Sequence, residues 1–430
     1  MKEELKGLLL EQLEQFRNKD LGIEREALGN IKNHKKSPHA IVVTGLRRVG
    51  KSTLLSQIAH SFYANSEYYF VNFEDERFIN FTGSDLNMLY ELLIELFGER
   101  RVFLFDEIQN IAGWERFVRR MIDGGFKFYI TGSNASLLSG ELGAKLTGRY
   151  IPIDLFPFSF EEFLSFKKIL SPNLKTLTTT QKGKLKKSFN EYLQKGGIPD
   201  ALKYPESPWH KTLYDDVIYR DVATRYKIED VKALKELAFY TISNISSLLS
   251  FNNLKGLLKL GSVNTVKSYI DYLETSWLFF VINRYAFSLK KQQISNKKAY
   301  CIDTGLAKSL AFSFSENRGR LLENLVFLTL RRENKDIYYY KTTKDQEVDF
   351  YLPNKGSLIQ VCQTLTDPKN KEREITALVE ATMETKAKFL LLLTEDEKEV
   401  IKINDTKIEV LPIYEWLLSR TYLKDLSVSG

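Results

Sequence analysis

The sequence predicts an α/β chain of several domains. A parallel sheet wrapped by helices comes first, then a helical middle, then a second α/β region. Three observations carry this. Strand-like apolar runs alternate with helical ones from residue 38 to about 160, the pattern of a parallel sheet covered on both faces. A glycine-rich turn, Gly45–Ser52, joins the first of those strands to a helix. After Ile294, β-rich segments flank a helical stretch near Gly319–Glu333, which reads as a separate domain. At 430 residues the chain is long for one core and fits two to four domains.

Residues 1–35 read as a helix and a polar connection, because Leu5, Leu8, Leu9, Leu13 and Phe16 recur at helical spacing. The expected strands of the first sheet are Ala40–Thr44, Tyr68–Phe73, Val102–Phe105, Phe126–Thr131 and Tyr150–Leu155. Pro157 and Pro172 punctuate the exit from it. A helical stretch follows from about 183 to 285. The last region has expected strands at Lys297–Ile302, Ile337–Tyr340, Glu347–Leu352, Ser357–Cys362 and Phe389–Leu393.

Composition excludes several classes. No apolar run approaches the ~20 residues that span a bilayer. The first residues, Met1-Lys2-Glu3-Glu4-Leu5-Lys6, carry acids and no apolar core of a secretory signal. The two cysteines, Cys301 and Cys362, make no disulfide framework, so a reducing cytoplasm is the expected setting. The net charge of +7 is uneven: between residues 167 and 195 eight lysines face one acid, Glu191. Such a cluster either follows a nucleic-acid backbone or belongs to a solvated linker; Ser171-Pro172-Asn173 and Thr178-Thr179-Thr180 fit the linker.

Gly45-Leu46-Arg47-Arg48-Val49-Gly50-Lys51-Ser52 fits G-x-x-x-x-G-K-[ST] at every fixed position, with Thr53 opening the helix behind it. Glycines let the backbone wrap phosphates closely, and a helix N-terminus favours the anion. Lys51 is expected on the β- and γ-phosphates of ATP, and the Ser52 hydroxyl on Mg2+. About 55 residues further on, Val102-Phe103-Leu104-Phe105-Asp106-Glu107 is an apolar strand ending in two acids. Asp106 is the expected Mg2+ ligand, and Glu107 the group that orients and deprotonates the attacking water. The strand Phe128–Thr131 ends in Gly132-Ser133-Asn134, where Ser133 or Asn134 either senses the γ-phosphate or caps a turn. Phosphoryl transfer also calls for an arginine. Arg149 is the first candidate, in cis or toward a neighbouring subunit; Arg47, Arg48, Arg220 and Arg225 are alternatives.

Farther along, Leu249–Leu260 and Gly261–Leu273 form two short helical runs joined by a glycine-containing turn, a helix-turn-helix pattern. Ser262 is the expected N-cap of the second helix. Val266, Ile270 and Leu273 face a core, leaving Asn264, Thr265, Lys267 and Ser268 outward for phosphates and base edges. The strand Trp277–Ile282, with Lys290-Lys291 and Lys297-Lys298, would supply a wing. DNA and a protein partner are both open as what this winged helix contacts. In the last domain, Glu323 on a helix and Glu347-Val348-Asp349 at a strand match the metal-binding acids of a PD-(D/E)xK nuclease. The following Glu-x-Lys positions instead read Gln360 and Cys362. A neutral amide and a thiol there leave Mg2+ too few anionic ligands, so cleavage is expected to be lost.

The chain resembles the widespread prokaryotic AAA-type ATPases that carry a C-terminal domain of otherwise unknown function. The likeness runs from about residue 36 to 400. It rests on Gly45–Ser52, Phe103–Glu107, Ile130–Asn134, Gly148-Arg149, Pro157–Phe163, Gly196–Pro199, Arg220-Asp221, Asp303–Leu306 and Glu347–Phe350. The resemblance implies ATP binding, a winged-helix segment and a nuclease-like terminal domain. The expected domains are therefore an N-terminal helix (1–35) and a P-loop NTPase parallel-sheet domain of AAA type (36–165). A basic helical linker or lid (166–205), a winged helix (206–300) and a degenerate α/β restriction-endonuclease-like domain (301–430) follow. ATP and Mg2+ are the expected cofactors. DNA, reached through the winged helix and basic linker, is the expected partner, with a second copy or a protein partner also open and no membrane.

Overall fold

The computed structural model describes residues 2–133, 146, 148–170, 174, 176–311, 318–403 and 406–419. The chain divides into two compact units. The first comprises Met1–Phe156 with Thr275–Trp277, and the second Pro157–Glu274 with Leu278–Gly430.

In the first unit, β1 (Ala40–Thr44), β2 (Tyr68–Asn72), β3 (Val102–Asp106), β4 (Lys127–Gly132) and β5 (Tyr150–Asp154) form a sheet in the order β2-β3-β4-β1-β5. Every neighbouring pair is parallel. β1 and β3 are buried at all five positions, as expected of strands covered by helices on both faces. β5 lies at the sheet edge and is only partly buried, which is where Pro152 is tolerated. Helices Lys51–Phe62, Leu86–Phe97 and Trp114–Asp123 connect the first four strands. Phe103 and Phe128 stack at 4.7 Å between ring centres on adjacent strands and anchor the core that Trp114 and Phe117 complete.

The helix Lys2–Arg17 is part of this unit rather than an appendage. Leu5, Leu8, Leu9, Leu13 and Phe16 are all buried, and Phe16 stacks on Phe70 of β2. Each buried leucine contributes about 1.5–3 kcal/mol of apolar burial. Gln12 makes two 3.0 Å hydrogen bonds with the backbone of Asn72, donating to its carbonyl and accepting from its N–H. That satisfies the open edge at the end of β2.

In the second unit a nine-stranded mixed sheet runs β13-β14-β12-β11-β10-β9-β7-β8-β6 among the described residues. Its strands are β6 (Leu248–Leu249), β7 (Phe279–Arg284), β8 (Lys297–Cys301), β9 (Tyr338–Lys341) and β10 (Glu347–Leu352). The others are β11 (Ser357–Val361), β12 (Phe389–Thr394), β13 (Glu399–Ile403) and β14 (Thr406–Pro412). The expected boundary at residue 300 is not a structural one. β7 pairs with β8 on one side and, in parallel, with β9 on the other, so the two expected domains share one sheet. The helix Arg318–Glu333 is buried on nearly every face. Its Asn324 accepts from the Cys301 N–H at 2.7 Å and donates to the Cys301 carbonyl at 3.0 Å, which ties helix to strand.

The basic stretch also departs from the expected linker. Thr179–Lys195 is a helix opened by a capping box, Thr178 with Gln181, and it buries Leu185, Phe189, Tyr192 and Leu193. Lys167 and Lys195 both pair with Glu191, and Lys186 pairs with Asp396. An apolar stripe docks this helix, so its lysines form the solvent face of a packed element. Ser171-Pro172-Asn173 lie outside the described residues.

Three of the motifs that carry the resemblance, Pro157–Phe163, Gly196–Pro199 and Asp303–Leu306, meet at a structural junction. Asp303 accepts from the Gly197 N–H at 2.6 Å and from the Leu306 N–H at 2.8 Å, while the Phe158 N–H donates to the Gly197 carbonyl at 2.7 Å. The helix-turn-helix pair forms as Phe251–Leu257 and Val263–Thr275. Ser262 accepts from the Thr265 N–H at 3.1 Å, and Val266, Ile270 and Leu273 are buried. Among the described residues no helix is long and apolar enough to cross a membrane.

Candidate functional site

The turn after β1 is shaped by close approach. A Cβ at Gly45 would lie 2.2 Å from the Leu155 carbonyl oxygen, so only glycine fits. Gly50, at φ 93°, sits in the left-handed region and sets the chain into the helix Lys51–Phe62. Arg48 takes φ 63°, a conformation that costs a non-glycine residue about 1–3 kcal/mol and clusters at ligand clamps. The buried Lys51 ammonium donates to the carbonyls of Gly45 (3.2 Å) and Leu46 (3.1 Å) and lies 3.6 Å from Glu107 Oε1. Arg47 lies 3.7 Å from Glu74.

Parallel pairing aligns the ends of three strands around that loop. β4 stands between β1 and β3, beside the acidic strand. Its Thr131 hydroxyl donates to Asp106 Oδ1 and accepts from the Glu107 N–H at 3.0 Å. Ser52 also hydrogen-bonds Asp106, which brings the two expected Mg2+ ligands together. Burial and the charge of Glu107 push the Asp106 carboxyl above its ordinary range, against the pull of Ser52 and Thr131. Glu107 goes the other way. Burial opposes its charge, but Lys51, a hydrogen bond from Gln109, Arg47 and the Ser133 N–H outweigh it and hold the carboxylate below its usual value. Ser133 donates through its backbone at 3.2 Å. Glu107 itself has φ 52°, a second strained non-glycine residue at this site.

The residues present fit a triphosphate and its metal: a glycine cradle, a buried ammonium, and a hydroxyl bonded to a buried carboxylate. Of the expected residues, Gly45 to Thr53, Asp106 and Glu107 converge here. Asn134 lies outside the described residues. Arg149 does not join them. It precedes β5, which pairs in parallel with β1 from Ala40↔Tyr150 to Thr44↔Asp154. The phosphate loop begins at Gly45, after Thr44, whereas Arg149 precedes the partner of Ala40, so Arg149 stands at the opposite end of the strands, about 20 Å away along β1 at ~3.3 Å per residue. There its Nε pairs with Asp123 at 2.7 Å. Its action in cis is thereby corrected.

Sequence reasoning missed Arg25. It is buried, and its guanidinium donates to the carbonyls of Val49 and Phe156, each at 2.7 Å, within reach of Gly50. The arginine thus clasps the phosphate loop from a segment outside the motif. Gln57 fixes that segment by donating to the Leu21 carbonyl at 2.8 Å and to that of Ile23. Thr131 was missed as well. Its only signal was a hydroxyl ending an apolar strand beside the acidic one.

The expected wing also changes. Lys297 and Lys298 are buried in β8, and Lys297 donates to the Gln292 carbonyl at 2.7 Å. Neither belongs to a basic wing, because both side chains are spent inside the protein. Lys290 and Lys291 remain exposed.

Residues 37–164 match the model of an AAA domain. Residues 186–317 and 318–416 match two domains of unknown function, DUF8612 and DUF4143. The chain is 37% identical over 400 residues to the uncharacterized protein MJ1544 of Methanocaldococcus jannaschii, covering 88% of each chain. It is 29% identical to an uncharacterized protein of Haemophilus influenzae, over 88% of this chain and 94% of that one. Among solved structures, the Thermotoga maritima RuvB Holliday junction branch migration motor aligns at 15% identity. That alignment covers 64% of this chain and 88% of that one, with a TM-score of 0.27, too low to carry an argument.

Proposed function

We propose a function on one premise: this chain belongs to the family of AAA-domain proteins that includes the uncharacterized protein MJ1544 of M. jannaschii. It is a Mg2+-dependent ATPase that uses binding and hydrolysis to control how its C-terminal region engages DNA. The observation that carries the ATPase reading is the convergence of Lys51, Ser52, Asp106 and Glu107 at the ends of β1 and β3. Lys51 offers a buried positive charge to the β- and γ-phosphates. Ser52 and Asp106 hold the metal, which when bound neutralises the charge developing on the phosphates. Glu107, kept ionised by Lys51 and its hydrogen-bond donors, orients water and accepts its proton.

The DNA half rests on the helix Val263–Thr275, which leaves Asn264 and Lys267 exposed, and on Lys290 and Lys291. With Lys297 and Lys298 withdrawn from this surface, binding to a protein partner is the competing reading. The test is ATP turnover by the purified chain with and without duplex DNA, together with DNA affinity across a salt series. Stimulated turnover and an affinity that falls steeply with salt support DNA. Turnover without any DNA binding at low salt leaves the ATPase in place and assigns the surface to a protein.

A further inference from the structure

The sheet of the second unit holds a buried ionic cluster that nucleotide chemistry does not use. Lys298 of β8 is 2% exposed. Its Nζ lies 3.1 Å from Glu323 Oε1, 2.8 Å from Glu347 Oε1 and 3.0 Å from Asp349 Oδ1. One ammonium therefore satisfies acids from the helix Arg318–Glu333 and from β10. The Tyr300 hydroxyl donates to Glu323 at 2.8 Å, and the Val361 N–H donates to Asp349 Oδ2 at 3.0 Å. Burial disfavours the ammonium, yet the charges of Glu323 and Asp349 outweigh it and hold Lys298 protonated well above the ordinary lysine range. Burial and the charge of Asp349 push the Glu323 carboxyl up.

Glu323, Glu347 and Asp349 are the acids that the nuclease-like sequence pattern assigns to a divalent metal. The residues present do not fit one. A hard cation needs several oxygen ligands at about 2.0–2.6 Å, and the ammonium already sits among these carboxylates. The neighbouring amide is also engaged, since Gln360 accepts from the Asp349 N–H at 3.1 Å and donates to Glu374 at 2.5 Å. Among the described residues no three His, Cys, Asp or Glu are grouped so as to hold a metal ion.

We propose that Lys298 is the resident cation of this site, its ammonium standing where a divalent metal would stand among Glu323, Glu347 and Asp349. The C-terminal sheet is then metal-independent, and its divalent-cation site is latent, filled by the lysine. Taking away one member of a buried ionic set strands the others, so removing Lys298 leaves carboxylates that recruit a metal in its place.

The test uses the nucleotide-free full chain, Mn2+ as probe, electron paramagnetic resonance to count bound ions, and thermal unfolding. Wild type is expected to bind no Mn2+ that Asp349→Asn removes, and to melt at the same temperature with Mn2+ or with EDTA. Lys298→Met should melt lower, bind one Mn2+ per chain beyond any that wild type binds, and recover melting temperature as that ion loads. Adding Asp349→Asn should abolish that gain. Wild-type binding of an Asp349-dependent Mn2+ overturns the proposal, and so does folded Lys298→Met that binds none. Should Lys298→Met fail to fold, the wild-type titration decides by itself.

Discussion

Replacing Glu107 with glutamine exchanges one oxygen for an amide nitrogen and keeps the side chain's volume. Glu107 Oε2 accepts from Gln109 and from the Ser133 N–H, and a glutamine oxygen can keep both bonds. What goes is the charge that faces Lys51 at 3.6 Å. At an effective dielectric near 20, the gross attraction across that distance is about 5 kcal/mol, most of it offset by desolvation. The fold should survive, and Lys51 should stay free to hold phosphates. Loss of a general base costs about 10²–10⁴-fold in rate, or roughly 3–5 kcal/mol of barrier. The assay is single-turnover hydrolysis of radiolabelled ATP beside equilibrium binding of a fluorescent ATP analogue. Binding within a few-fold of wild type with hydrolysis reduced at least about 100-fold is the expected result. Glu107→Gln protein that hydrolyses at near wild-type rate refutes the assignment. Because Glu107 is held below the usual carboxylate range, wild-type turnover should not fall through loss of this base between about pH 6 and 8.

Asp106→Asn should abolish turnover, yet stabilise the nucleotide-free protein at neutral pH. A carboxyl whose folded pKa is raised favours the native state when protonated, and that contribution is lost as pH rises through the folded value. Melting temperatures at pH 8 should therefore exceed wild type, with the gap closing in acid; equal melting at pH 8 contradicts this. Arg149→Ala removes a half-exposed pair worth about 0–1 kcal/mol, so stability should barely move. Turnover by protein shown to be monomeric should also be unchanged, and a large loss there would restore a role in cis. Arg25→Ala strands the Val49 and Phe156 carbonyls at a cost of about 1–3 kcal/mol. It should weaken ATP binding measurably, which a titration with the fluorescent analogue checks.

Much of the nucleotide unit was legible because its signals are local. A buried parallel strand is a continuous apolar run, and the expected Ala40–Thr44 is the observed β1. The phosphate loop and the acids ending β3 are short, spaced patterns. Arg149 was legible as a candidate, but its distance from the loop in cis was not: a residue entering a strand parallel to β1 must lie at the end away from the loop that leaves β1. Arg25 was not legible, since it acts through two backbone carbonyls distant in sequence and needs no partner side chain. Lys297-Lys298 looked like an exposed basic pair. Alternation along a strand puts neighbours on opposite faces, and only the packing of Glu323, Glu347 and Asp349 against β8 shows that Lys298 faces acids. The expected boundary at residue 300 failed for the same reason, since pairing between distant strands leaves no mark in local composition.

The central claim is that Gly45–Ser52, Asp106 and Glu107 form a working ATPase centre. The most direct test is Mg2+-dependent ATP hydrolysis by the purified full chain beside its Lys51→Ala variant at equal concentration. Turnover by wild type that disappears in Lys51→Ala, with the variant's melting temperature close to wild type, is the predicted result. Equal turnover by the two proteins, or none by folded wild type under any Mg2+ concentration, would contradict it.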